Sequence, residues 1–280
     1  MTTTLRPSGP IQSGADGAQS RAFDVCDNGR PVGAVEIAAE SPGPAGGTGV
    51  LRSLRIDESV RRRGRGTIAA LAAEEVLRAW GCTQVRTDVA ADDIAGQRLT
   101  AALGYTERSR NMIKRLASEP PALPDGLTAR PMTPEEYAAW EDGAIAGYAE
   151  SLVARGTPQE AALQAARASH AMHLPQGLAT EGAQLHHLIH EGERVGLVWV
   201  AAQFEMHPGQ VVGYVFDVEV DERFRGRGYG RALMLQAERL VLAAGDSRLG
   251  LHVVTANSPA LRLYESLGYE PTRYNLAKPL

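Results

Sequence analysis

A glycine-rich turn, two alternating carboxylates and a strand histidine are the residues of this chain best suited to chemistry. Arg225-Gly-Arg-Gly-Tyr-Gly230 follows a β-rich run ending at Val220 and opens a stretch of helical period. Successive backbone N–H groups and the helix dipole would converge there and form an anion site suited to a diphosphate. No Gly-Lys pair follows the turn, which excludes the loop that cradles ATP in P-loop enzymes. Asp217 and Glu219 alternate with Phe216, Val218 and Val220, so both carboxylates share one face of the strand entering the turn. His252, between Leu251 and Val253, titrates by its nature near neutral pH and can also move a proton.

Sequence period outlines the elements that must hold these groups. Residues 195–204 and 211–220 are β-rich runs joined at His207-Pro208-Gly209, a hairpin signal. Leu233, Ala237, Leu240, Val241 and Ala244 recur at helical spacing, with Gly245 as the stop. A strand at 249–254 follows. A short helix comes next, with Ser258 as N-cap, Pro259 at the first helical position and Gly268 at its end. Upstream, 134–154 and 159–170 read as helices ahead of a strand at 185–190. His186, His187 and His190 on that strand diverge to opposite faces, and no metal site is expected.

The unit is written twice. The segment from Ile56 aligns without a gap with that from Val220 at an offset of 164, still in register where Leu103-Gly-Tyr105 meets Leu267-Gly-Tyr269. The first copy reads Gly64-Arg-Gly66-Thr-Ile-Ala69, a dinucleotide spacing with Asp88 beyond it. Its counterpart Gly228-Tyr-Gly230-Arg-Ala-Leu233 keeps R-x-x-G-x-G and discards that spacing. The Pro-rich stretch 117–126 predicts a linker between domains 1–116 and 127–280. More than sixty residues precede the shared unit in the second copy, against a Gly/Ser-rich start in the first.

Composition bounds the function. Lys plus Arg number 29 and Asp plus Glu 33 in 280 residues, for a net charge of −4. That balance, and the lack of aromatics within Arg61-Arg-Arg-Gly-Arg65, argue against a nucleic-acid partner. The start of the chain lacks an apolar signal core, and no stretch nears the ~18 apolar residues of a membrane span, so the expected location is the cytoplasm. Cys26 and Cys82 lack metal or redox spacing and read as packed, reduced thiols.

Arg225-x-x-Gly228-x-Gly230 after a strand, Asn257 about thirty residues on, and Leu263-Tyr-Glu-Ser-Leu-Gly-Tyr269 together resemble the GNAT superfamily of acyl-CoA-dependent N-acetyltransferases. The resemblance covers nearly all of 127–280; in 30–116 it is good in the turn and poor elsewhere. It implies an α/β (α+β) fold of two tandem domains, each a mixed, mostly antiparallel twisted sheet flanked by helices, with central strands splayed to admit pantetheine. It further implies acetyl-CoA as cosubstrate in the second domain, held by Arg225, Gly226, Arg227, Gly228, Tyr229, Gly230 and Arg231, with Val218, Val220 and Asn257 beside it. Direct transfer needs an acid for the leaving thiolate and a base for the amine. Tyr264 is the family's acid position, although Ala260, Leu263, Tyr264 and Leu267 also form a core stripe. Glu219, nearest the turn, and His252 both remain open as the base.

The acidic run Glu135, Glu136, Glu141, Asp142 and Glu150, with Tyr137, Trp140 and Tyr148, lies where such proteins receive the acceptor, a small-molecule or peptide amine. A solvated helix face is the competing reading. In the first copy Thr100 stands at the acid position and Asp93 at that of Asn257, so that half is expected to be catalytically degenerate, with a possible second coenzyme A site. Two other readings stay open: transfer to an amino-sugar thiol, as in tandem proteins of the mycothiol synthase type, and an acyl-CoA-binding module without chemistry.

Overall fold

The computed structural model describes residues 2–14, 17–40, 46–153, 157–207 and 209–280, so Ala154 and Pro208 lie outside the described residues. The first repeat comprises β1 (Thr3–Pro7), β2 (Gln12–Ser13), β3 (Gln19–Asp27), β4 (Arg30–Ala39), β5 (Gly47–Ile56), α1 (Arg65–Ala79), β6 (Cys82–Ala90), α2 (Ile94–Ala102) and β7 (Thr106–Arg115). The second comprises β8 (Leu127–Pro131), α3 (Pro134–Val153), α4 (Gln159–His173), β9 (Ala183–His190), β10 (Glu193–His207), β11 (Gln210–Val220), α5 (Tyr229–Ala243), β12 (Arg248–Val254), α6 (Ser258–Ser266) and β13 (Glu270–Pro279). Among the described residues no helix is long and apolar enough to cross a membrane.

Compact units and repeats do not coincide. Unit 1 gathers the chain up to Arg110 together with Thr272–Leu280, and unit 2 is Asn111–Pro271. The stretch 117–126, expected as a linker, therefore falls inside unit 2, where Arg239 Nη1 donates to the Pro121 carbonyl at 3.0 Å.

Unit 1 has the strand order β1-β3-β4-β5-β6-β13, with β2 beside β3. Among the described residues its strands pair antiparallel except β5 with β6. The Gly/Ser-rich start thus contains strands: Phe23 and Val25 alternate into a core with Ile37, Leu51, Leu77 and Val85, a period-2 signal in a segment that composition alone made look irregular. Between β1 and β3 no helix occurs among the described residues.

Unit 2 has the order β12-β11-β10-β9-β8, antiparallel except β11 with β12. Val198, Val215, Leu233, Met234, Leu249 and Leu251 fill the core under α5. On the opposite face Leu185, Leu197, Trp199 and Phe216 pack with Met132, Tyr137, Trp140 and Leu174 from the α3 and α4 region. At the N-terminus of α3, Glu136 N–H donates to Thr133 Oγ1 at 3.3 Å and Thr133 N–H donates to Glu136 Oε2 at 2.9 Å, with Pro134 opening the helix.

Candidate active site

Two irregularities of β11 create the site. Trp199 pairs with Asp217 but Val200 pairs with Val215, so Phe216 is an extra residue, a β-bulge that bends the strand. Pairing with β12 ends at Val215 and Leu251, so beyond the bulge β11 runs on to Val220 without a strand partner on that side among the described residues. The backbone of Phe216–Val220 is thereby free to bond an extended ligand chain, as the expected splay requires. Unit 1 repeats the device: Arg52 is the extra residue of β5, and pairing with β6 ends at Val50 and Arg86.

After β11, a short 3₁₀ turn at Glu222–Phe224 leads into the glycine-rich turn. Gly226 and Gly228 take φ of 78° and 87°, a left-handed backbone that other residues adopt at a cost. A Cβ on either would meet nothing within 4 Å, so the backbone lies open to a ligand. The first N–H groups of α5 have no intrahelical acceptor and the helix dipole favours an anion there. Arg225 Nε donates to the Val220 carbonyl at 3.3 Å and is exposed, as is Arg227. Two of the expected ligands differ in how they are placed. The Tyr229 ring is buried with its hydroxyl 2.9 Å from His190 Nδ1, and Arg231 Nη2 donates to Ser266 Oγ at 2.6 Å. Their amides, rather than their side chains, face the turn's chemistry.

Asn257, not Ser258, caps α6: its Oδ1 accepts from Ala260 N–H at 3.2 Å, and Pro259 is at the second helical position. Asp93 caps α2 in the same way at 2.9 Å, which explains why either residue type suits the helix start. Tyr264 on α6 is partly buried and meets Tyr269 edge-on at 5.9 Å. Burial pushes its phenol up to about 12, and the charge of Asp217 adds to the shift. Asp217 is itself raised to about 6, first by desolvation and then by repulsion from Glu219. Of the two alternating carboxylates Asp217 is thus the one withdrawn from water, while Glu219 is exposed. His252 is exposed on β12. The sequence places Asp217 and Glu219 on one face, but the bulge at Phe216 and the burial that singles out Asp217 have no local signature.

Of the acidic run, Glu135, Asp142, Tyr148 and Glu150 are exposed. Glu136 and Glu141 are engaged. Arg130 holds Glu136 at 2.7 and 2.8 Å and lowers its carboxyl to about 2. Glu141 Oε1 accepts from Tyr137 at 2.7 Å and lies 3.2 Å from His170 Nε2. A cleft of about 170 Å³ opens beside them, lined by Glu136, Trp140, Arg194, Leu197, Glu219 and Asp221. His187, missed as a site residue in the sequence, is 1% exposed on β9 beside this cleft. Neither of its ring nitrogens has a hydrogen-bond partner.

The sequence profile of the acetyltransferase (GNAT) family matches residues 6–105 and 162–269. The chain is similar to the uncharacterized N-acetyltransferase YycN of Bacillus subtilis (strain 168), at 32% identity over 65 residues, which is 23% of this chain and 42% of that protein. The chain therefore spans less than half the length of that curated relative. Among solved structures it is similar to a tandem GNAT protein from the clavulanic acid biosynthesis pathway (TM-score 0.53, 22% identity, 94% of this chain and 83% of the other). A GCN5-related N-acetyltransferase from Sphaerobacter thermophilus gives a TM-score of 0.58 at 20% identity, covering 92% and 80%. These two likenesses concern the fold.

Proposed function

The chain belongs to the GNAT acetyltransferase family, and from that premise we propose that unit 2 transfers an acetyl group from acetyl-CoA directly to a primary amine. The observation that carries this reading is the stretch of β11 beyond its pairing with β12, where burial raises the Asp217 carboxyl to about 6 and the charge of Asp217 helps to hold the Tyr264 phenol protonated. The turn at Gly226–Gly230 and the amides opening α5 would hold the pyrophosphate, with Arg225 and Arg227 adding charge at its rim. The backbone at Val218 and Val220 would bond pantetheine, and Asn257 stands at the start of α6 on the other side of the gap.

Asp217 is the proposed base. A carboxylate near 6 is ionised at neutral pH yet basic enough to take the proton that the amine sheds as its nitrogen bonds the thioester carbon. The C–S bond then breaks, and Tyr264, whose phenol stays protonated across the physiological range, gives its proton to the leaving sulfur. Glu219 raises the basicity of Asp217 by its charge and lines the acceptor cleft. His252, exposed on β12, is the remaining candidate for the base.

For unit 1 the reading is a silent repeat. Its turn keeps the backbone geometry, with Gly64 at φ 75° opening α1 and Arg61 Nε donating to the Ile56 carbonyl at 2.8 Å, which supports retained coenzyme binding. Its chemistry is missing: Ser53 and Arg55 replace Asp217 and Glu219, and Thr100 is buried with Oγ1 donating to Gly96 in its own helix at 2.9 Å. Release of free thiol from acetyl-CoA across a panel of amines tests the assignment. Amine-dependent release with formation of the N-acetyl product is expected; coenzyme binding with no release by any amine would leave only a binding module.

A further inference from the structure

The glycine-rich turn of unit 2 has little of its own to hold its shape. Arg225–Gly228 are all exposed, and Gly226 and Gly228 bring no side chain to restrain the backbone. Tyr229, the next residue and the first of α5, is buried. Its hydroxyl lies 2.9 Å from Nδ1 of His190, the last residue of β9, and its ring meets Phe224 edge-on at 6.2 Å, just ahead of the turn. Phe224 and Tyr229 thus bracket the turn, and His190 fastens that bracket to the sheet.

Unit 1 makes the same connection from different chemistry. Asp27 and His190 each end a strand ahead of a hairpin turn of one shape: Asn28-Gly29 and Glu191-Gly192 both take φ of 49° and 81°. Arg65 and Tyr229 each open a helix after a left-handed glycine. Arg65 is 4% exposed. Its Nε donates to Asp27 Oδ2 at 3.0 Å, its Nη2 donates to the same oxygen, and its Nη1 donates at 2.9 Å to the carbonyl of Val60, the counterpart of Phe224. Each repeat therefore ties the first residue of its helix to the same two points, the end of that strand and the residue leading into the turn. A guanidinium with a carboxylate and a phenol with an imidazole share neither shape nor charge, so what the repeats have in common is the tie itself.

Resting on the acetyl-transfer reading of unit 2, we propose that His190 is a positioning residue for the coenzyme: through Tyr229 it holds the turn and the amides opening α5 in the geometry a diphosphate needs. The test is a double-mutant cycle on the full chain carrying Gly64→Asp, so that only the turn of unit 2 is read, with Kd for coenzyme A by calorimetry and thiol release at steady state. Tyr229→Phe keeps the ring beside Phe224 and removes only the hydroxyl; His190→Leu removes its partner. Each is expected to raise Kd and the KM for acetyl-CoA by about three- to tenfold, as the loss of one part-buried hydrogen bond implies, and to leave kcat and the KM of the amine unchanged. The double variant should lose no more than either single one. In the free protein, amide exchange at Ala232, whose N–H donates to the Gly228 carbonyl at 3.2 Å, should quicken while Leu233–Val241 stays protected. Tyr229→Arg/His190→Asp, which installs the pair of unit 1, should return Kd to that of the Gly64→Asp parent. An unchanged Kd in either single variant, additive losses in the double variant, no recovery with the pair of unit 1, or protection lost throughout α5 would overturn the proposal. Coenzyme binding that follows the expected pattern without thiol release to any amine would keep the positioning role and remove the acetyl-transfer reading. Amine-dependent release with the same KM for acetyl-CoA in every variant would do the reverse.

Discussion

Lys114 on β7 places its Nζ 2.6 Å from Glu238 Oε1 in unit 2 and 5.8 Å above the ring of Tyr269. Lys278, 164 residues later on β13, does the same in unit 1, with Nζ 2.8 Å from Glu74 Oε2 and 5.2 Å above Tyr105. Each repeat therefore ends in a strand whose lysine closes a Tyr–Glu pair contributed by the other repeat. Deletion of residues 272–280 should accordingly loosen unit 1 and spare unit 2. Hydrogen exchange is expected to show lost protection in β6, whose residues Gln84–Ala90 pair with β13, and unchanged protection in β9 and β10. Loss confined to unit 2 would contradict the exchange of strands.

The two lysines should not be equal in energy. Without Lys278, Glu74 keeps a hydrogen bond from Tyr105 Oη at 2.9 Å. Without Lys114, Glu238 has no such support, because the buried Tyr269 hydroxyl makes no hydrogen bond. Lys114→Met is expected to cost about 3–5 kcal/mol, as for other broken buried pairs, and Lys278→Met less. Denaturant unfolding followed by exchange in each unit gives the two values, and a larger loss for Lys278→Met would refute the comparison.

Asp217 links activity to stability with opposite signs. Its folded-state pKa of about 6 lies above the ordinary carboxylate value, so the folded chain holds the proton more tightly than the unfolded chain does, and its ionisation lowers stability as pH rises from about 4 through 6. Asp217→Asn should stabilise unit 2 by about 2–3 kcal/mol at pH 7.5 and by nothing at pH 4. The same substitution should abolish the acidic limb of the pH–rate profile, in which wild-type kcat falls about tenfold per pH unit below 6. If the limb persists in Asp217→Asn and disappears in Glu219→Gln or His252→Ala, the base is one of those residues.

The repeat, the glycine-rich turn, the helices around it and the family were all legible in the sequence, because R-x-x-G-x-G after a strand and apolar residues at helical spacing are local signals. The exchange of strands was not, for a physical reason: Lys114 meets the same chemistry in Glu238 and Tyr269 as it would in Glu74 and Tyr105, so a sequence with two matching partners does not say which is used. The choice between Asp217 and Glu219 was hidden for a different cause. Alternation places both on one face, but which is desolvated depends on tertiary packing around the bulge at Phe216, which has no local signature in the sequence.

Tyr264 carries a separate expectation. Tyr264→Phe keeps the ring that packs against Tyr269 and removes only the hydroxyl. Coenzyme affinity should stay within a few-fold, while kcat drops by roughly 10²–10⁴ if the phenol protonates the leaving sulfur. Full activity with unchanged stability would assign Tyr264 to packing alone.

The central claim is that chemistry resides in unit 2 and unit 1 is silent, and paired substitutions in the two turns test it most directly. Gly228 and Gly64 open α5 and α1 with the same left-handed backbone and open space at the Cβ position, so aspartate at either brings the same strain and the same negative charge to a diphosphate site. Steady-state thiol release from acetyl-CoA should be nearly lost in Gly228→Asp and close to wild type in Gly64→Asp, with both variants shown to be folded by hydrogen exchange. Equal loss in the two, or loss only in Gly64→Asp, would contradict the account.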